Sequence, residues 1–97
     1  MIARIWHGIT KVEDYEAYTD FMKNRAIPDY QNTEGFLKLT FLRRIDGAIS
    51  HFNLITFWEN IDVIKNFAGD DYEIAKYYPE DSAYLLEFEE KVTHYEV

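Results

Sequence analysis

"FLKLTFLRRIDGAISHFNLITFW", residues Phe36–Trp58, decides the fold. Two β-rich runs flank Asp46–Gly47, and Asp-Gly between such runs is a strong hairpin signal. With Asp46–Gly47 as the turn, Ile45 faces Ala48, Phe41 faces Phe52 and Leu39 faces Leu54. Leu37, Leu39, Phe41, Phe52, Leu54 and Trp58 then line one face. The other carries Phe36, Lys38, Thr40, Leu42, Ile49, His51, Asn53, Ile55 and Phe57, a mixture too apolar to be left in water.

Outward from the hairpin the elements follow closely. Ile2–Ile9 is β-rich and reads as a first strand. Val12, Tyr15, Tyr18, Phe21, Met22 and Ala26 form a helical stripe over Val12–Ala26. Thr10 and Glu13 have the spacing of a capping box at its start. Pro28 bends or ends that helix, and Gly35 breaks it. Asn60 caps a second helix with Ile61, Ile64, Phe67 and Ala68 on one side, and Gly69 stops it. Asp70–Ala83 reads as irregular or short-helical, and Leu86–Val97 as the last strand. The order β-α-β-β-α-β is the α+β, ferredoxin-like pattern. It predicts a single domain over residues 1–97: four antiparallel strands in the order 4-1-3-2, with both helices on one face. The opposite face needs a cover, and a second copy of the chain supplies it. "VTHYEV", Val92–Val97, is expected to run into that homodimer interface.

Composition narrows the function classes. Ten Lys and Arg against 18 Asp and Glu leave a net charge of −8, so nucleic acid and anionic membranes are repelled. The chain has no cysteine, hence no thiolate chemistry and no Cys-based zinc or iron–sulfur site. No run approaches the roughly 18 apolar residues of a membrane span, and the start lacks the pattern of a signal peptide. The expected location is cytoplasmic. Aromatic residues reach 18%, which suits a rich core, an interface or a pocket for a flat apolar ligand.

The chemistry-bearing residues are few. His7 and His51 can share one end of the sheet, but His94 falls at the other, so no three-histidine metal site is expected and each reads first as a hydrogen-bonded strand histidine. Arg4 and Glu96 read as a cross-strand ion pair. "DDYE", Asp70–Glu73, lacks the spacing of a calcium loop. No glycine-rich phosphate loop or nucleophile elbow occurs. Trp58, Phe67, Tyr72, Tyr77 and Tyr78 gather near the second helix, where they serve packing or close a pocket.

With "FNLITFWENIDVIKNFAG" at Phe52–Gly69, the chain resembles the antibiotic biosynthesis monooxygenase family of the dimeric α/β-barrel superfamily. The local likeness is sharpest at Trp58-Glu59-Asn60, and the resemblance spans nearly the whole chain. It implies a barrel closed across a dimer and one cleft per subunit between helices and sheet. Some relatives oxidise aromatic substrates with O₂ and no cofactor, and others degrade haem. The haem branch's characteristic positions hold His7, Phe67 and Tyr77 here, and none matches. The resemblance therefore implies a cofactor-independent monooxygenase for a small aromatic or quinol-type substrate, with no metal. A non-catalytic small-molecule-binding or regulatory dimer of the same fold is the alternative. In the enzyme reading His7 is the base, because histidine titrates near working pH. Tyr72 and Tyr77 orient the substrate, and Trp58, Phe67 and Tyr15 line its site.

Overall fold

The computed structural model describes residues 1–97. Strands β1 (Ile2–Lys11), β2 (Phe36–Asp46), β3 (Ile49–Trp58) and β4 (Thr93–Glu96) form one sheet. Its order, β2-β3-β1-β4 with every pair antiparallel, is the expected one. Helices α1 (Tyr15–Phe21), α2 (Ile27–Gln31) and α3 (Ile61–Ala68) cover one face. A π-helical turn, Met22–Ala26, joins α1 to α2. Pro28 sits in the first turn of α2, where its missing N–H matters least. The widened turn before it lets the helix bend without breaking.

Strand β3 alternates strictly, and β1 does so from Arg4 to Thr10. On β3, Ser50, Phe52, Leu54, Thr56 and Trp58 are buried, and Ile49, His51, Asn53, Ile55 and Phe57 between them are half-buried. On β1, Arg4, Trp6, Gly8 and Thr10 share the buried side, opposite Thr56, Leu54, Phe52 and Ser50. Ile5, His7 and Ile9 therefore project from the face without helices.

Four expectations need correction. The turn is Gly47–Ala48, with Asp46 opposite Ile49, so the hairpin register moves by two residues. Gly47 takes φ 62° while Ala48 keeps a negative φ, which suits a two-residue turn with glycine first. A shift of two preserves the faces, but an irregularity between Phe36 and Lys38 exchanges two residues. Phe36 packs edge-on against Trp58 at 5.5 Å, and Leu37 is exposed, because one extra residue in a bulge reverses the side a strand presents. The capping box does not form: β1 continues through Lys11, and the Thr10 hydroxyl donates to the Lys11 carbonyl instead. The last strand is only Thr93–Glu96. Before it, Leu86 N–H donates to Ile9, and the chain then leaves β1 to exchange bonds with Glu73 and Ala75.

Helix α3 forms as read. Asn60 accepts from Val63 N–H at 3.0 Å, and Gly69 ends it with φ 84°. Gly35, φ 91°, passes directly beneath it, and a Cβ there would lie 2.3 Å from Val63 Cβ. Gly35→Ala combines left-handed strain of about 1–2 kcal/mol with overpacking of about 1–3 kcal/mol. Its thermal midpoint should fall by more than about 8 °C. An unchanged midpoint would contradict this contact.

Candidate functional site

Between α1, α2 and the sheet lies a small, partly open cavity, with about 10 Å³ able to hold the centre of a water-sized sphere. That is room for roughly one water. Trp6, Tyr18, Tyr30, Tyr78, Lys76 and Asp81 are among the residues that line it. Trp6 comes from the buried side of β1, Tyr18 from α1 and Tyr30 from α2. Asp81 and Tyr78 come from a short 3₁₀ turn, Pro79–Ala83, and the residue that caps it.

The hydroxyl of Tyr18 donates to Asp81 Oδ1 at 2.7 Å, and Tyr78 N–H donates to Oδ2 at 2.7 Å. Burial raises the Asp81 carboxyl above its ordinary range, against the pull of these two donors. Burial and the Asp81 contact push the Tyr18 phenol far upward, so it remains a donor. The carboxyl is thus a stronger base than a surface aspartate and reaches the cavity through a phenol. The indole Nε1 of Trp6 is buried with no partner. By contrast, Trp58 Nε1 donates to Thr56 at 2.8 Å.

Arg4, paired with His94 rather than Glu96, is 1% exposed. Glu96 lies opposite Ile2, two pairs further along, so the expected Arg4–Glu96 ion pair is absent. The guanidinium has one long contact, Nη1 donating to the Tyr30 hydroxyl at 3.4 Å, and its Nε and Nη2 have no partner. Lys76 Nζ lies 4.2 Å from the centre of the Phe67 ring, and the Arg4 Cζ is 5.5 Å from the same centre.

The residues singled out in the sequence do not converge on this cavity. His7 is on the opposite face of the sheet. Its Nδ1 donates to Glu89 at 2.6 Å, and its Nε2 lies 3.1 Å from His51 Nδ1, the two rings stacked at 5.4 Å. Tyr72 packs edge-on against His94 at 5.2 Å, beyond the edge of β1. Tyr77 touches Trp6 edge-on at 6.3 Å, and its hydroxyl donates to the Glu89 carbonyl at 2.5 Å. Trp58 and Phe67 are core residues behind Tyr30, which stacks on Phe67 at 4.1 Å. Tyr15 lies against Phe52 and under Arg43. The reading from sequence missed Trp6, Tyr18, Tyr30 and Asp81 as site residues. The β1 alternation was available to place Trp6 with Arg4 and to turn His7 away. Nothing in "YYPED" signals that Asp81 folds inward.

No protein-family model matches the chain, and no curated protein matches its sequence. Solved structures do match in fold. One, from Nitrosomonas europaea and provisionally named an antibiotic biosynthesis monooxygenase, has a TM-score of 0.70 at 15% identity, covering 100% of this chain and 98% of its own. A second, from Bacillus cereus with the same provisional name, has a TM-score of 0.61 at 15% identity over 97% of this chain and 87% of its own. A third is a substituted MhuD with two manganese protoporphyrin IX molecules bound per active site; its TM-score is 0.61 at 17% identity, covering 100% and 94%. The chain thus has the ferredoxin-like fold of structures that carry the name of the family its sequence resembles. No helix is long and apolar enough to cross a membrane.

Burial first, and then the neighbouring Arg4 charge, lower the pKa of His94. Protons therefore bind the unfolded chain before the folded one, so the His94 contribution to stability is full above about pH 6.5. It is lost as pH falls through that value toward the depressed folded pKa. Thermal melts across this window should show wild type losing stability faster than His94→Gln. Parallel profiles would contradict the assignment.

Proposed function

We propose that the protein is a cofactor-independent monooxygenase acting on a small aromatic or quinol-type substrate in the cavity between helices and sheet. One observation carries the reading: the Tyr18–Asp81 pair and the unpartnered Trp6 Nε1 line the same ring-walled space. The names of two fold relatives point the same way.

The chemistry balances as R₂CH₂ + O₂ → R₂C=O + H₂O. Asp81 accepts a substrate proton relayed through the Tyr18 hydroxyl, which gives up its own proton as it takes the substrate's. The carbanion, stabilised as an enolate by a donor such as Trp6 Nε1, passes an electron to O₂. Recombination forms a C–O bond and, with the returned proton, a hydroperoxide. Loss of the second C–H proton, with cleavage of O–O, leaves the carbonyl and water. Pre-positioning of the ring supplies much of the rate. Tyr78 is half-buried on the cavity wall; its hydroxyl donates to Asp29 at 2.7 Å, and Arg25 covers its ring at 4.5 Å.

Haem does not fit these residues. At the positions where the resemblance places haem contacts, His7 faces away, Phe67 is stacked into the core and the Tyr77 hydroxyl is tied to Glu89. The cavity is also far below the ~300–1,000 Å³ of an ordinary ligand pocket. The unpartnered Trp6 Nε1 and Arg4 nitrogens equally suit a second reading, a non-catalytic dimer that binds a small molecule.

A second copy over the open sheet face belongs to the proposal. Ile5, Ile9, Ile55 and Phe57 are only half-buried there, with exposed Leu42 alongside, and contiguous apolar surface of this kind seeks a partner. Sedimentation at micromolar concentration should give the dimer mass; a monomer would remove this part.

Oxygen uptake with a panel of anthrones and hydroquinones tests the chemistry. Asp81→Asn and Tyr18→Phe should lower turnover by about 10²-fold, the range of general-base removal. His7→Ala should leave turnover per folded protein near wild type. Uptake by none of the panel would leave the binding reading in its place.

A further inference from the structure

We infer that the Tyr30 end of this cavity receives an ionised oxygen of the ligand, a carboxylate or a phenolate, between the Lys76 ammonium on its wall and the Tyr30 hydroxyl that the Arg4 guanidinium backs. The inference rests on the cavity being the ligand site proposed above, and it adds the charge class of what binds there. A guanidinium excluded from water is ordinarily matched by a carboxylate. Arg4 is 1% exposed, and two of its three nitrogens have no partner. None of the seven ion pairs in the protein involves Arg4 or Lys76. Both cations instead border the one Phe67 ring, where Lys76 Nζ also donates to the Phe67 carbonyl at 3.4 Å; a ring face and a long carbonyl contact are weak substitutes for an anion.

This arrangement is unexpected in a chain with eight more acids than bases. Acidic side chains are abundant, yet none reaches Arg4. The one carboxylate on the cavity wall is Asp81, and both its oxygens already accept hydrogen bonds. Tyr30 connects the two regions: its hydroxyl accepts from Arg4 Nη1, and its ring lines the cavity beside Lys76. An aromatic ligand with its anionic oxygen at Tyr30 would find a guanidinium behind it, an ammonium beside it and rings around its body. Trp6 Nε1 supplies a neutral donor on the same wall.

The test is calorimetric titration without oxygen, at mildly alkaline pH. The probes are naphthoate and nitrophenolate, each set against a neutral counterpart, naphthalenemethanol and nitroanisole. At least one anion should bind about tenfold or more tightly than its counterpart, and which one does separates the carboxylate source from the phenolate source. Arg4→Met should erase that preference without lowering the thermal midpoint, because it replaces an unmatched buried charge with an apolar chain of similar length. Equal binding of anions and counterparts by wild type would overturn the inference, as would a preference that survives in Arg4→Met. Should Arg4→Met not fold, half-buried Lys76→Met decides in its place: a reduced preference supports the site, and an unchanged one overturns it. Anion preference without oxygen uptake would remove the monooxygenase reading alone. Uptake without anion preference would remove this inference alone.

Discussion

The two-residue alternation of β1 is the constraint on which the rest depends. This strand is hydrogen-bonded to β3 along its whole length and to β4 over Ile2–Ile5, so its register cannot slip by one without turning every side chain over. Held in place, it sends Arg4, Trp6, Gly8 and Thr10 beneath the helices and Ile5, His7 and Ile9 to the open face. Gly8 leaves room for Trp6, since a Cβ there would lie 2.5 Å from Trp6 Cη2. The cavity and the open apolar face are two sides of this one strand.

The helical side is built largely from aromatic rings. Tyr18 contacts Phe52 edge-on at 5.0 Å, Tyr30 stacks on Phe67, and Trp58 is fully buried beside them. Such contacts stabilise by about 0.5–1.5 kcal/mol each beyond area burial. Most polar groups carried into this side are satisfied, as in the Tyr18–Asp81 and Trp58–Thr56 pairs. Trp6 Nε1, Ser50 Oγ and the Arg4 guanidinium stand out because they are not, and an unmet buried donor costs about 1–3 kcal/mol. Trp6 Nε1 lines the cavity and Arg4 reaches it through the Tyr30 hydroxyl, so a ligand with an oxygen acceptor would meet the one and lie near the other.

The architecture was legible because patterning at two periods carries it. The hairpin, Asn60 and Gly69 around α3, and the strand order all followed from local chemistry. The site was less legible. Reading His7 as a base weighed residue type without settling its face, although Trp6 and His7, as neighbours on a strand, must point opposite ways. Arg4 was matched to Glu96 because the last strand pairs with the first, but sequence does not set the register, which puts His94 opposite Arg4 and Glu96 two residues away opposite Ile2. Asp81 became visible only through the fold, since the turn at Pro79–Ala83 brings it to Tyr18 across 63 positions of sequence.

The central claim is that a ligand enters on the Trp6 side of the helical layer. The chain has two tryptophans, and they differ in the needed way: Trp6 Nε1 is free, and Trp58 Nε1 is held by Thr56. A ¹H–¹⁵N spectrum resolves their two indole signals. On titration with naphthoate, the Trp6 indole signal should move as its N–H acquires an acceptor, and the Trp58 signal should stay nearly fixed. A Trp58 shift with Trp6 unmoved, or no shift of either under saturating ligand, would contradict the account.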